Sequence, residues 1–245
     1  MSEISPLTIC SILHQDRFIV VVNKPAGFLS HPNSSRIDLK NHAAFEGHYD
    51  LERKFFETTA GKVWLIHRLD QDTSGVLLAA LDERTAEKCR ALFEDDEVKK
   101  HYYSVVRGSL PLKEAWHDYL SITRASGQVR TTVQKGRQPN AELRYEVKGH
   151  HEEQRLSLLD VELITGRTHQ IRVQAASRQH PVVGDDVYGD FEMNRRLRQQ
   201  FGIKRLCLHA RKIEFKHPIS GYKMSVEAPL PPDLSELFSA LAFTV

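Results

Sequence analysis

The chain predicts an α+β fold, and three observations carry that expectation. Short β-branched or alternating runs recur along its 245 residues, whereas helical periodicity is confined to a few stretches. Strand and helix signals do not alternate regularly, which argues against a parallel α/β design. The length and a hydrophobic content of 40% are enough to bury a full core.

The elements follow in order. Ile9 to Leu13 is a short apolar opening, and His14-Gln15-Asp16-Arg17 reads as a polar turn. Phe18 to Val22 is almost unbroken in large apolar residues, as a strand buried on both faces requires. It stops at Asn23-Lys24-Pro25-Ala26-Gly27, where proline ends the ladder and glycine permits a tight turn. Lys24 on that loop is a candidate ligand contact, because loops held by strands carry function. From His31 to Lys62 the pattern is weak, and it predicts helices around Leu39–Phe45 and Leu51–Phe56. Val63 to Ile66 and Val76 to Leu81 read as buried strands, and Glu83 to Phe93 has helical spacing. Ser104-Val105-Val106 is a strand ending at Arg107-Gly108.

Ile122 to Lys148 reads as strands and turns carrying Arg124, Arg130, Lys135, Arg137, Arg144 and Lys148 against Glu142 and Glu146. That excess suits an RNA-facing strip as well as it suits a solvated face. Leu156 to Leu163 alternates as a half-buried strand, and Thr168 to Ser177 resembles the start of a helix. Between Leu163 and Gly184 there is no acidic residue, while Arg167, Arg172 and Arg178 are present. Asp190 to Gln200 is polar, with no assigned element. Tyr222 to Glu227 is a strand, and Pro231 to Leu241 a closing helix.

Composition excludes several classes. A formal charge of +2 does not announce a nucleic-acid binder, so any basic surface must be local. Cys10, Cys89 and Cys207 lie far apart, which argues against a zinc ribbon or disulfide framework and suits a reducing compartment. The first residues lack the pattern of a signal peptide, and no apolar run approaches the ~20 residues of a membrane helix. A cytoplasmic protein without membrane attachment is expected. His31, His42 and His48 lack the spacing of a helical zinc site, so no metal is expected.

The densest chemistry is His67-Arg68-Leu69-Asp70-Gln71-Asp72-Thr73-Ser74-Gly75, a charged connection between two buried strands. Asp70, Asp72, Ser74 and Gly75 imitate a calcium loop, but the position that needs a bidentate Glu is Leu81. His67-Arg68 with an Asp imitates a kinase catalytic loop, but Leu69 intervenes and no Asp-Phe-Gly follows. Two readings stay open on spacing. Asp70 caps a turn, or it is a nucleophile kept ionised by a cation. The arginine-rich segment around Arg172 could supply that cation, and Tyr102 or Tyr103 an aromatic surface for a flat substrate.

Here the residues carry a resemblance. His67-Arg68-Leu69-Asp70 with Thr73-Ser74-Gly75 resembles the signature of the RluA-type pseudouridine synthases. Asn23 to Gly27 resembles that family's opening loop, and Lys100-His101-Tyr102 its Lys-x-Tyr motif. Thr165 to Arg172 resembles its third motif, and His180-Pro181-Val182-Val183-Gly184-Asp185, Leu206 to Ala210 and His217-Pro218 complete the order. The resemblance implies one catalytic domain over residues 9–245 behind a tail of residues 1–8. It also implies a mixed, largely antiparallel central sheet flanked by helices and loops. Many relatives carry a small RNA-binding domain before the catalytic one. Here the pattern begins by about Ile9, so RNA affinity is expected from the catalytic domain itself.

By the same resemblance Asp70 is the catalytic nucleophile, Tyr102 stacks on the target base and Arg172 pairs with Asp70. Ile171 forms an apolar wall, and Arg68 takes the space a flipped nucleotide leaves. Arg167, His67, Thr73 and Lys24 complete the expected substrate-facing set. The implied reaction isomerises uridine in rRNA or tRNA to pseudouridine, with the base flipped out of its stack. It needs no cofactor, because the product keeps every atom of the substrate except an exchanged proton. A monomer acting on RNA is expected. The alternatives are a catalytically silent RNA-binding protein or chaperone on the same fold, and a metal-dependent nuclease using Asp70, Asp72 and histidines.

Overall fold

The computed structural model describes residues 7–32, 42–125 and 128–244. In chain order the strands begin with β1 (Ser11–Gln15), β2 (Ile19–Lys24), β3 (His48–Asp50), β4 (Phe55–Thr58), β5 (Gly61–Leu65) and β6 (Ser74–Ala80). Helix α1 (Glu83–Glu94) precedes β7 (Lys99–Arg107), β8 (Lys113–Ala125), β9 (Gln128–Gln134), β10 (Ala141–His151) and β11 (Leu156–Leu163). Then come α2 (Gln170–Ser177), α3 (Phe191–Phe201), β12 (Leu208–Lys216), β13 (Lys223–Glu227) and α4 (Pro232–Ala240). The α+β class is observed. The chain forms two compact units, one from residues 1–99 and 210–229, the other from 100–209 and 230–245.

In the first unit β2 pairs antiparallel with β1 on one side and β6 on the other, with Ile19 opposite Ala80 and Lys24 opposite Gly75. Ile19 to Val22 and every residue of β6 are buried, as their near-continuous apolar runs require. Ile19, Val21, Val76 and Leu78 pack with Cys89, Ile213, Phe215 and Val226. Helix α1 is capped by Asp82, whose carboxylate accepts from Thr85 N. β3, β4 and β5 form a small antiparallel meander.

Two expectations in this unit are corrected. Leu51 to Lys54 is a turn and Phe55–Thr58 is a strand, so no helix spans 51–56. Phe55 packs at 5.5 Å from Trp64 and Phe56 at 4.7 Å from Tyr49, which aromatic side chains achieve readily on a pleated surface. Of the helix expected at 39–45, residues 39–41 lie outside the described residues. Residues 42–45 carry an isolated bridge from Ala43 to Leu29 instead. The turn expected at His14–Arg17 begins later, because His14 and Gln15 still belong to β1.

The second unit is an antiparallel sheet in the order β7-β11-β10-β8-β9. β11 is buried more fully than its alternation suggests, being packed on both faces. Val105, Leu156 and Leu158 make a core with Met193 and Leu197 of α3 and Leu234, Leu237 and Phe238 of α4. Helix α3 falls in the stretch left unassigned. Asp190 caps it by accepting from Met193 N, and Gly202 at φ 70° ends it.

Candidate active site

In the first unit the chain around Asp70 is stitched to the loop after β2. Asp70 is partly buried, and its carbonyl accepts from Thr73 N at 3.1 Å, closing a tight turn. The residues on either side of it are pinned. Leu69 N donates to Ser30 Oγ at 2.9 Å, and Ser30 Oγ donates to Leu69 O at 2.9 Å. The Gln71 carbonyl accepts from Gly27 N at 2.9 Å, and the Gln71 amide donates to Gly27 O at 3.1 Å. A loop flanked by such contacts holds its central side chain in a narrow range of positions, as chemistry at that side chain requires.

Lys24 belongs to this stitching. Its side chain is buried, and Nζ donates to the carbonyls of Pro25, Phe28 and Gln71 at 3.0, 2.7 and 2.9 Å. A buried ammonium needs such acceptors, and these tie the loop after β2 to the turn at Gln71. His67 and Thr73 also make contacts within the fold. His67 Nε2 accepts from Leu78 N at 3.0 Å while its ring stacks 4.9 Å from Phe93, and Thr73 is 2% exposed inside the turn. Arg68, in contrast, is exposed. Its charge reaches His31, whose ring stacks on Tyr49 at 5.0 Å; burial first, and Arg68 with it, holds the His31 pKa below its ordinary value. Ser30 had no place in the expectations, and one serine in a polar stretch carries no signal that could have shown it.

Gly75 fixes the exit from the turn. At φ 117° it pairs with Lys24, and a Cβ there would lie 2.1 Å from the Ala210 carbonyl oxygen. Only glycine fits both the conformation and the space.

In the second unit Tyr102 sits on β7 opposite Val161 and is 7% exposed. Arg172 lies in α2, whose first six residues are all buried, polar and apolar alike. Polar residues survive there because each meets a partner. The Gln170 amide accepts from Thr165 Oγ1 and Arg167 N and donates to the Glu142 carbonyl. Gln174 donates to Asp118 at 2.6 Å.

Arg172 itself is gripped by Asp185. Nε donates to Asp185 Oδ2 at 2.7 Å and Nη2 to Oδ1 at 2.9 Å, a bidentate pair of two buried side chains. The Tyr188 ring lies 5.3 Å from the guanidinium carbon. Asp185 Oδ1 also accepts from Val187 N and Tyr188 N, so the same carboxylate shapes the turn that presents Tyr188. Burial works to raise the Asp185 pKa, but the Arg172 fork and these two N–H donors outweigh it and hold the carboxyl below its ordinary range. Tyr188 Oη accepts from Thr131 N at 2.9 Å and meets His169 Nδ1 at 2.9 Å, tying the head of α2 to β9. Ile171 is 5% exposed, and exposed Arg167 donates from Nε to Asn140 O at 3.0 Å.

The basic strip of β8 to β10 is partly neutralised. Arg144 pairs with Glu142 at 3.0 Å and Lys148 with Glu146 at 2.9 Å. Arg130, Lys135 and Arg137 are exposed on the β9 hairpin, with Arg137 set 5.1 Å from the Tyr119 ring; the Arg124 side chain is outside the described residues. Among the described residues no group of three His, Cys, Asp or Glu could hold a metal ion. No helix among them is long and apolar enough to cross a membrane.

Comparison with known proteins agrees on one family. Residues 18–177 match the model of the family described as RNA pseudouridylate synthase. The chain is 34% identical over 227 residues to a tRNA pseudouridine synthase C of Yersinia pestis, covering 89% of this chain and 85% of that one. It is 32% identical over 240 residues to a ribosomal large subunit pseudouridine synthase C of Pasteurella multocida, covering 94% and 67%. An uncharacterised RNA pseudouridine synthase of Bacillus subtilis is 36% identical over 228 residues, covering 92% and 70%. In fold, the solved human RNA pseudouridylate synthase domain containing 4 superposes with a TM-score of 0.69 at 22% identity, covering 96% and 94%.

Proposed function

Because the chain belongs to the RNA pseudouridylate synthase family and isomerises uridine to pseudouridine in RNA, we propose that Asp70 carries the reaction. The observation behind this is the loop pinned through Leu69 and Gln71, which holds one carboxylate partly exposed within the matched region. The uracil is detached at its nitrogen, turned, and rejoined to the ribose through carbon 5. Asp70 serves as nucleophile toward the ribose or the base, or as a base on the ribose. Arg172 and Tyr102 take the roles the resemblance gives them, cation for the carboxylate and stacking surface for the flipped uracil. In support, the Arg172 guanidinium is already clamped before RNA arrives, so little ordering is left to the reaction.

Arg68, Ile171 and Arg167 are the proposed RNA contacts, with Arg130, Lys135 and Arg137 as further phosphate partners. The names of the relatives support a tRNA or large-subunit rRNA target; that the chain works as a monomer in the cytoplasm is part of the proposal. RNA carrying tritium at uracil carbon 5, taken from cells lacking the gene, tests the proposal. Wild type should release tritium, and Asp70→Asn should release none above background. An equally active Asp70→Asn would sink it. Mapping pseudouridines in total RNA with and without the gene then identifies the target nucleotide.

A further inference from the structure

Away from the Asp70 turn, the first unit has a concavity of about 410 Å³, lined in part by Arg17, Phe18, Asp82, Arg84, Lys88 and Ile219. Its charges are unbalanced. Arg17, Arg84 and Lys88 are exposed, and among the described residues none of them forms an ion pair. Asp82, the acid among these lining residues, and nearby Asp16 each have partners of their own. Asp82 accepts from Thr85 N and Thr85 Oγ1 at 2.9 and 2.6 Å, and Asp16 accepts from Phe18 N and Ile19 N while lying 3.0 Å from His217 Nε2.

The cations come from two places in the chain. Arg84 and Lys88 are one helical turn apart on α1, so they share a face. Arg17 comes from the turn before β2, with its guanidinium 5.9 Å from the Phe18 ring. Glu83 and Glu87 occupy the neighbouring ridge of the helix and do not line the concavity. The first turn of α1 is already capped by Asp82, so the site rests on the three side chains and not on the helix end.

Its position is set by register. β2 and β6 run from Lys24 opposite Gly75, beside the Asp70 turn, to Ile19 opposite Ala80, beside Phe18 and Asp82. At a rise of about 3.3 Å per residue, the seven residues of β6 separate the two ends by roughly 20 Å. A stacked strand places a phosphate on the order of every 3.4 Å, so this gap corresponds to about six phosphates.

We propose that Arg17, Arg84 and Lys88 form a second, distal site that binds the phosphodiester backbone of the substrate RNA. This rests on RNA being the substrate and adds where that RNA is held. The net charge of +2 gives little long-range attraction, so a local cluster of cations is what fixes a stem beyond the flipped nucleotide. Phe18 and Ile219 line the same concavity and give it an apolar part beside the exposed cations.

Binding is measured by filter retention, independently of tritium release, on two RNAs. One is a stem-loop around the modified uridine; the other is truncated to about three nucleotides on each side, too short to span the gap. The triple variant Arg17→Ala/Arg84→Ala/Lys88→Ala should weaken the stem-loop about tenfold near 0.1 M salt and flatten its log K against log salt slope by about 2. The truncated RNA should bind variant and wild type alike. Arg84→Glu/Lys88→Glu should be weaker still on the stem-loop, and Arg84→Lys/Lys88→Arg should match wild type. Unchanged stem-loop affinity and slope would overturn the proposal, as would an equal loss on both RNAs. Wild type that binds RNA but releases no tritium would count against the reaction assigned to Asp70 and leave the binding comparison intact.

Discussion

Asp185 shows how one buried carboxylate fixes the side chain of another residue. It is fully buried, grips Arg172 through both oxygens and builds the turn beneath it through Val187 N and Tyr188 N. Asp185→Asn keeps the shape but leaves a buried guanidinium facing an uncharged amide, which should cost about 3–5 kcal/mol in urea denaturation. The sign of the pH effect follows from the depressed carboxyl. Its contribution is complete above the ordinary carboxylate range and is lost as pH falls through the lower folded-state value. The stability gap between wild type and Asp185→Asn should therefore be constant near neutrality and close in acid. A gap that widens on acidification would contradict this. Ser30 acts at the other motif, satisfying both backbone groups of buried Leu69 next to Asp70. Ser30→Ala should lower kcat by about tenfold or more through a misplaced Asp70, with KM for RNA held. Ser30→Thr should restore most of it. A change confined to KM would place Ser30 among the RNA contacts instead.

Between residue and fold, legibility depended on whether an element's reason to exist lies within its own sequence. β2, β6 and α1 were readable because their apolar patterns match their burial. α3 was readable in principle, with Asp190 at one end, Gly202 at the other, and buried Met193 and Leu197 four residues apart, but the polar run hid it. The full burial of α2 could not be read, since Gln170, Arg172 and Gln174 look solvent-facing until Glu142, Asp185 and Asp118 are known as partners. β4 was misread because two adjacent phenylalanines fit a helix and a strand equally until Trp64 and Tyr49 arrive from neighbouring strands. Gly75 is the opposite case, a residue whose identity is dictated by another element. With φ at 117° and the Ala210 carbonyl 2.1 Å from any added Cβ, Gly75→Ala must either move β6 or strain the turn. The cost should exceed about 3 kcal/mol, read as a lowered denaturation midpoint, whereas Gly136→Ala at an open turn should cost about 1 kcal/mol or less. Equal effects of the two substitutions would mean that conformation alone, and not the close approach, selects glycine at position 75.

Across the whole chain, the order of the motifs was legible and their supporting contacts were not. Asp70, Arg172 and Tyr102 stand out in sequence because their motifs are local. The Ser30 bridge to Leu69 and the Asp185 fork on Arg172 join residues 39 and 13 positions apart, and pairings of that kind leave no spacing signal. The same division separates isomerase from nuclease chemistry. Asp72 is exposed on the turn, and among the described residues no three acidic, histidine or cysteine side chains gather around a common point. An isomerisation that returns the uracil to the same ribose, with only the carbon 5 proton exchanged, needs no metal-bound water, unlike phosphodiester hydrolysis. RNA often needs divalent ions for its own fold, so the test must separate the two demands. A stem-loop stable in monovalent salt alone, assayed for tritium release with and without chelator, does so. Rates should agree within about twofold, since only screening of phosphate contacts changes. A loss beyond tenfold that zinc or manganese restores, with the RNA still folded, would assign the chemistry to a metal and remove Asp70 from the role of nucleophile.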